Sequence, residues 1–294
     1  MLRIGTDCSG IEAPIQALQQ MGVEFEHVFS CESDKYAVKS IRANYNPGVI
    51  YDDITTRDHS KLPDIDMYVC GFPCQPFSSM GKKHAMVDSR SNILFHCIEV
   101  IKKKLPRFFI LENVRNFKYI KNGQVYNHLI NELNLLNEYT ISSDILNTKH
   151  YGLPQNRERL FIIGIRKNIN KKYSTPKRKD MIALNDIILD KKICDTKIPK
   201  TIQKKLSTIN NSQNYILCCD SYSKMKDMSS TLTKSGCKYM FHTTYNRYLS
   251  VKECLLLQGF PVDFKVVVED TKICNQIGNS MSVNVLKEIF KVLI

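Results

Sequence analysis

Cys74 stands between two prolines, in Pro73-Cys74-Gln75-Pro76, just beyond an apolar stretch. Cysteine is a strong nucleophile once ionised, and a thiolate in a shaped loop is the usual means of covalent attack on an electrophilic carbon. The plainer account is an inert buried thiol. The two prolines argue against it, because each restricts the residue before it and together they fix the loop that displays the sulfur. Glu112 is a second reactive candidate, at the end of an apolar run. In a closed pocket, burial raises a carboxyl pKa and lets the group keep or share a proton; the plainer role is a helix-capping acid. Arg157 and Arg159 are two apart, so on an extended chain they point the same way and offer two planar forks to one site.

These residues need elements to hold them. Asp64 to Cys70 reads as a buried strand bounded by Pro63 and Gly71, which puts Cys74 at a strand's carboxyl end. That edge is where open α/β sheets bind ligands. The residues before Arg166 alternate strands with helices. Strands are expected at 2–6, 25–31, 107–111 and 160–165, and helices at 11–21, 33–45, 91–104 and 124–137. Such a rhythm predicts a Rossmann-like α/β fold, a mostly parallel sheet with helices on both faces and right-handed crossovers. Gly5 to Ala13 follows the first strand and opens a helix; a glycine turn there lets backbone approach a nucleotide-like ligand. Glu32, at the end of the second strand, suits hydrogen bonds to ribose hydroxyls.

The rhythm breaks beyond Arg166. From Arg166 to Lys205 lysines and arginines crowd a loop-rich segment opposed only by Asp180, Asp186, Asp190 and Asp195. The formal net charge is +13, and a basic block of this kind is the footprint of a polyanion partner. Periodicity returns at 250–259 and again at 281–294, both read as helices. The chain of 294 residues, 43% hydrophobic, is long enough for one large domain or two. No apolar run approaches membrane-spanning length and no basic-then-apolar leader opens the sequence, so a cytoplasmic protein without a membrane partner is expected. Eleven cysteines without a regular framework suggest reduced thiols, and no paired zinc spacing occurs, so no metal site is expected.

Gly71-Phe72-Pro73-Cys74-Gln75-Pro76-Phe77-Ser78 resembles the nucleophile motif of the DNA (cytosine-5) methyltransferases, and further motifs of that family follow in its order along nearly the whole chain. The resemblance implies S-adenosyl-L-methionine as cofactor and S-adenosyl-L-homocysteine as product. Asp7, Cys8, Ser9, Gly10, Ile11 and Glu12 match the cofactor loop, with a departure: the family usually has Phe-x-Gly-x-Gly, and Cys8 and Glu12 occupy its first and last positions. Glu32 and Ser33 would serve the ribose, and Asp53 and Ile54 the adenine. Leu94 would line the adenine pocket, and Asn279 and Ser280 would close over the cofactor. Gly71 and Pro73 complete the cofactor set.

At the base-handling end, Glu112-Asn113-Val114 and Gln155-Asn156-Arg157-Glu158-Arg159 match family motifs. Glu112 would hold N3 of a cytosine, Arg159 its O2, and Arg157 would support the pocket on the cofactor side. The implied chemistry starts with Cys74 thiolate adding at C6, which makes C5 reactive toward the methyl group. A base then removes the C5 proton and the thiolate leaves. The target must first be flipped from the duplex, at a cost of a few kcal/mol. Gln75, Ser78 and Ser79 would contact DNA, and the polar segment 78–91 would close over the flipped base.

The resemblance also implies a discontinuous catalytic domain, 1–166 with 248–294, and a small irregular β-rich target-recognition domain, 167–247. In the latter, Thr231 and Leu232 match a Thr-Leu pair whose threonine contacts DNA backbone. Its shortness suggests a short target. Double-stranded DNA is the expected partner of a monomer, in a bacterial, phage or viral setting where a cognate restriction endonuclease would complete a restriction-modification pair. Other readings are a tRNA cytosine-5 methyltransferase, a catalytically silent partner of another methyltransferase, and a dehydrogenase-like enzyme. The Cys-Phe-Thr signature of the tRNA branch is missing from the target region. Intact Cys74, Glu112, Arg157 and Arg159 oppose the silent partner, and a dehydrogenase needs neither Pro-Cys-Gln nor Gln-x-Arg-x-Arg.

Overall fold

The computed structural model describes residues 1–73, 93–194, 197–209, 214–218 and 223–294. They form two compact units, each assembled from separate stretches of chain. The first comprises Met1–Leu146, Arg159–Pro176 and Lys287–Ile294. Apolar, β-branched runs supply its strands: β1 (Leu2–Asp7), β2 (Phe25–Cys31), β3 (Val49–Tyr51), β4 (Met67–Cys70), β5 (Phe108–Val114) and β6 (Tyr139–Asn147). Helices α1 (Ala13–Met21), α2 (Lys35–Asn44), α3 (Ile93–Lys104) and α4 (Gln124–Leu135) separate them. A two-residue strand β7 (Gln155–Asn156) precedes β8 (Glu158–Arg166), which returns to the sheet.

The sheet has the order β3-β2-β1-β4-β5-β8-β6. Pairings from β3 through β5 are parallel, whereas β8 runs antiparallel to β5. Strand order reverses between β1 and β4. Right-handed crossovers therefore put α1 and α2 on one face and α3 and α4 on the other, opening a crevice at the carboxyl ends of those two strands. Two strands carry a glycine where a neighbour's ring lies flat on the sheet. A Cβ at Gly5 would come within 2.2 Å of the Phe29 ring, and one at Gly164 within 2.0 Å of the Phe109 ring. The core beneath includes Phe29, Tyr68, Phe109, Leu111 and Ile162.

The second unit comprises Asn147–Glu158 and Lys177–Leu286. Its elements are α5 (Leu184–Ile187), α6 (Lys200–Leu206), β9 (Tyr215–Cys218), β10 (Lys224–Lys226), β11 (Ser229–Ser230), β12 (Met240–His242), β13 (Arg247–Tyr248), α7 (Val251–Gln258) and α8 (Asp270–Asn279). Helix α9 (Val283–Leu293) begins in this unit and ends in the first. Strands β10-β9-β12-β13 make a small antiparallel sheet around Ile202, Leu217 and Phe241, and β11 pairs in parallel with β7. Ser250 and Glu253 close a capping box on α7: the Glu253 N–H donates to Ser250 Oγ (3.2 Å) and the Ser250 N–H to Glu253 Oε2 (2.7 Å). Arg247 adds a bidentate pair to the same carboxylate. These bonds hold the Glu253 pKa below its usual value although burial alone would raise it.

The units divide the chain differently from the domain boundaries expected from sequence. Residues 248–286 belong with the second unit, and so do 147–158. The physical reason is a knot of side-chain amides. Gln155 Nε2 donates to the Leu257 carbonyl (2.8 Å) and to Gln258 Oε1 (2.7 Å), which ties β7 to the end of α7. The first helix begins at Ala13 rather than Ile11, because Glu12 sits in the left-handed region at φ 59° and caps the helix. Strand β6 and helix α8 have no counterpart in the elements expected from sequence.

Candidate active site

The cofactor-loop residues gather at the carboxyl end of β1. Ser9 donates its N–H to the Cys31 carbonyl (3.1 Å), and its Oγ accepts the Cys31 N–H (3.0 Å), locking the loop to the end of β2. Gly10 follows with φ 57°, and a Cβ built there meets nothing within 4 Å. The backbone at Gly10 is therefore open to a close ligand, as the turn predicts. Glu32 accepts the Gly10 N–H on Oε2 and the Asp34 N–H on Oε1, both at 2.8 Å. Burial raises its pKa, against the pull of those two bonds. Ser33 is exposed beside it.

The two departures from the family loop have different structural outcomes. Glu12 is fully buried. Its Oε1 accepts from Thr6 Oγ1 (2.7 Å) and Ser30 Oγ (2.6 Å), with His27 Nε2 at 3.4 Å. A glutamate in a left-handed conformation costs on the order of 1 kcal/mol, and these bonds between strands β1 and β2 offset it. Cys8 is also left-handed, at φ 50°, and is half-buried. It hydrogen-bonds Cys70, whose own Sγ lies 3.4 Å from that of Cys97. Burial holds the Cys70 thiol well above its ordinary pKa, so it stays protonated and unreactive.

Asp7 turns away from this network. Its Oδ2 accepts from Arg57 Nη2 (2.5 Å) and Tyr68 Oη (2.6 Å). The Arg57 guanidinium lies over the rings of Phe29 and Tyr51, 5.2 Å from each centroid. This arrangement ties the segment carrying Asp53 and Ile54 to the first strand. Asp53 itself is exposed and accepts from the Thr55 N–H and hydroxyl, both at 2.8 Å, while Ile54 and Leu94 are buried. Nothing in the sequence motifs singled out Arg57; its signal was only an arginine shortly after the adenine pair.

At the base-handling end, Glu112 sits on β5, and its Oε1 lies 3.2 Å from Arg159 Nε on β8. The antiparallel β5–β8 pairing brings them side by side, because Val114 pairs with Arg159 and Glu112 is two residues away on the same face. Desolvation lowers the Arg159 pKa, opposed by the Glu112 charge. Asn113, overlooked as a site residue, donates Nδ2 to the Phe72 carbonyl (2.9 Å). It thereby anchors the backbone two residues before Cys74, with Gly71 and Pro73 on either side. Phe72 also packs edge-on against Phe117 at 5.2 Å. Cys74, Gln75, Ser78, Ser79 and the segment 78–91 lie outside the described residues.

Arg157 departs from the expectation of two parallel forks. The regular extended chain is interrupted at Arg157, between β7, which pairs with β11, and β8, which pairs with β5. Arg157 belongs to the second unit and Arg159 to the first. Only 2% exposed, Arg157 donates to the carbonyls of Leu232 (2.6 Å), Gly278 (3.1 Å) and Ser280 (2.6 Å). Thr231 donates its hydroxyl to the Asn156 carbonyl (2.8 Å), and Leu232 is fully buried. Asn279 is exposed, and Ser280 is buried with its hydroxyl on the Met281 carbonyl (3.1 Å). Among the described residues, no cluster of His, Cys, Asp or Glu could hold a metal ion, and no helix is long and apolar enough to cross a membrane.

The β1/β4 switch point and the Glu112–Arg159 pair on β5 and β8 mark the edge of an α/β sheet where such folds bind ligands. Comparison with known proteins narrows this. The family model for C-5 cytosine-specific DNA methylase matches residues 7–294. The type II methyltransferase M.BsuFI of Bacillus subtilis is 33% identical over 89% of this chain and 65% of its own length. M.SsoII of Shigella sonnei is 34% identical over 91% of this chain and 73% of its own. A crystal structure of a mutant of DNMT2 from Spodoptera frugiperda superposes with a TM-score of 0.76, covering 100% of this chain and 99% of that one; at 18% identity it speaks to the fold alone. The chain belongs to the C-5 cytosine-specific DNA methylase family.

Proposed function

We propose that this chain methylates C5 of a cytosine flipped out of duplex DNA, with S-adenosylmethionine as donor and Cys74 as nucleophile. The observation that carries this reading is the pairing of Glu112 with Arg159 on adjacent strands, with Asn113 of the same motif gripping the Phe72 carbonyl just ahead of Cys74. Glu112 holds the N3 edge of the base and Arg159 its O2, so that charge pushed into the ring by thiolate addition at C6 meets a fixed, preorganised guanidinium. Asn113 sets the entry of the nucleophile loop.

The residues at the end of β1 fit a nucleotide-like cofactor. Open space above the Gly10 backbone admits it closely, Glu32 offers carboxylate oxygens for the ribose, and Ile54 and Leu94 supply apolar surface for an adenine. S-adenosylmethionine supplies an electrophilic methyl group on a sulfonium. Glu12 fits this reading as well, because its buried carboxylate is bound to β1 and β2. Phosphate contacts fall to the lysine-rich second unit, which reads a short target, and a cognate endonuclease completes the biological setting.

Covalent trapping tests the reading. Duplex DNA containing 5-fluorocytosine cannot lose the C5 substituent after methyl transfer, so it should form a denaturation-resistant adduct that Cys74→Ser abolishes. An adduct persisting in that variant would place the nucleophile elsewhere.

A further inference from the structure

We infer that the outer face of α3 and α4 is a self-association surface, through which two copies of this chain form a weak two-fold dimer. The two helices, twelve residues each, line a groove of about 600 Å³ in the first unit. Its lining follows the helical period: Leu94, Ile98 and Lys102 come from α3, and Val125, Leu129 and Glu132 from α4. Leu94, Val125 and Leu129 form a buried floor that joins the core beneath. Phe95 and Leu135 also line the groove, yet they stand 40% and 70% exposed. A single exposed leucine is ordinary on any protein surface. Two large apolar side chains flanking an apolar groove make a patch, and patches of that kind mark interaction sites.

Charge selects the occupant. Helix α3 ends in Lys102, Lys103 and Lys104; Lys104 turns to Asp64 (3.7 Å), while Lys102 and Lys103 are exposed. Glu99 reaches Lys102 only at 3.8 Å, and an exposed pair of that kind is worth little. On the other side, α4 and the turn after it carry Glu132 and Glu138, with no lysine or arginine over 124–138. One edge of the groove is therefore basic and the other acidic. A basic peptide would meet Lys102 and Lys103, and an acidic one Glu132 and Glu138. A second copy, turned about an axis along the groove, sets basic edge over acidic edge twice, the self-complementarity that a two-fold interface requires. Phe95 and Leu135 of each copy then enter the groove of the other, in a four-helix contact. Two helices side by side, each about 18 Å long and about 10 Å across, offer on the order of 400 Å² per copy, about half of what a standard stable interface takes from each partner. The dimer is accordingly weak and forms as concentration rises. A monomer was expected from sequence, which shows an apolar face on each helix but not the groove that two helices leave between them.

Sedimentation velocity of the full chain, from low to high micromolar concentration, tests the surface. The wild type should pass from monomer to dimer with no larger species. Leu135→Asp changes an exposed side chain, so the fold is kept, and only monomer should be seen at the same concentrations. Lys102→Glu and Glu132→Lys should each weaken the dimer about tenfold, because the contact is made twice, and the double variant should regain most of the wild-type affinity. A wild type that stays monomeric throughout overturns the inference, as does a dimer that Leu135→Asp leaves intact. A monomeric wild type whose thermal midpoint falls in Leu135→Asp gives the groove to the chain itself, against the dimer. Open-ended growth into larger species shows a head-to-tail contact and overturns the two-fold arrangement. A double variant no tighter than either single one removes the pairing of the two edges, and with it the choice of a second copy.

Discussion

Arg157 and Arg159 are two residues apart, yet they belong to different compact units and are satisfied in opposite ways. In the first unit, Arg159 faces a carboxylate, Glu112, and the pair stands at the edge of the sheet where ligands bind. In the second, Arg157 donates to three backbone carbonyls. A guanidinium on a carboxylate is a polarised pair that a substrate can enter. A guanidinium on carbonyls joins segments distant in sequence. The same residue type is thus paired with a carboxylate in one unit and with backbone in the other.

The largest expected effect separates those two roles. Arg159→Lys keeps a charge beside Glu112 but removes the fork. Steady-state kinetics should show kcat falling by roughly 10²–10³, the usual cost of losing one preorganised donor, with the thermal midpoint little changed. Arg157→Met should do the reverse. It leaves the Leu232 and Gly278 carbonyls without that donor while Ser280 keeps Gln258 Nε2; each lost partner costs about 1–3 kcal/mol, and chemical denaturation should register a loss on the order of 3 kcal/mol. If Arg157→Met cost turnover and spared stability, the contrast between the units would fail.

A smaller effect probes the sheet that carries Glu112. Gly164→Ala puts a methyl group 2.0 Å from the Phe109 ring across β5 and β8. Overpacking of this kind costs about 1–3 kcal/mol, and the loss should appear in urea unfolding. The smallest effect is in acid, and both units should share it. His59 in the first unit is held down to a pKa of about 4 by burial, then by Arg57 and His96. His242 in the second is held down to about 4 by burial, then by Arg247. Both stay neutral when folded but titrate near 6.5 when unfolded. Their stability contribution is complete above about pH 6.5 and is lost as pH falls toward 4, because the unfolded chain takes up the protons. Urea midpoints at pH 7 and pH 4.5 should converge in His59→Gln and in His242→Asn relative to the wild type. A midpoint equally acid-sensitive in both variants would contradict this assignment.

Much of this was legible in the sequence where motif and period coincided. The apolar runs of β1, β2, β4 and β5 announced the parallel sheet. β6 was not legible, because it is an edge strand whose middle residues, Ser142, Ser143 and Asp144, are only half-buried and so carry no alternation. The destination of Arg157 was hidden for another reason. Side chains two apart on a strand point the same way only while the strand continues, and here it changes partner at that residue. Asn113 was overlooked because its partner is the Phe72 carbonyl, and no pattern of side chains reports a backbone acceptor.

The most direct test of the account is transfer of labelled methyl from S-adenosylmethionine to unmethylated genomic DNA and, in parallel, to bulk tRNA, with wild-type protein and Cys74→Ser. Label entering DNA, absent from tRNA and lost in the variant, is the predicted result. Label in tRNA alone, or label in DNA that survives Cys74→Ser, would contradict it.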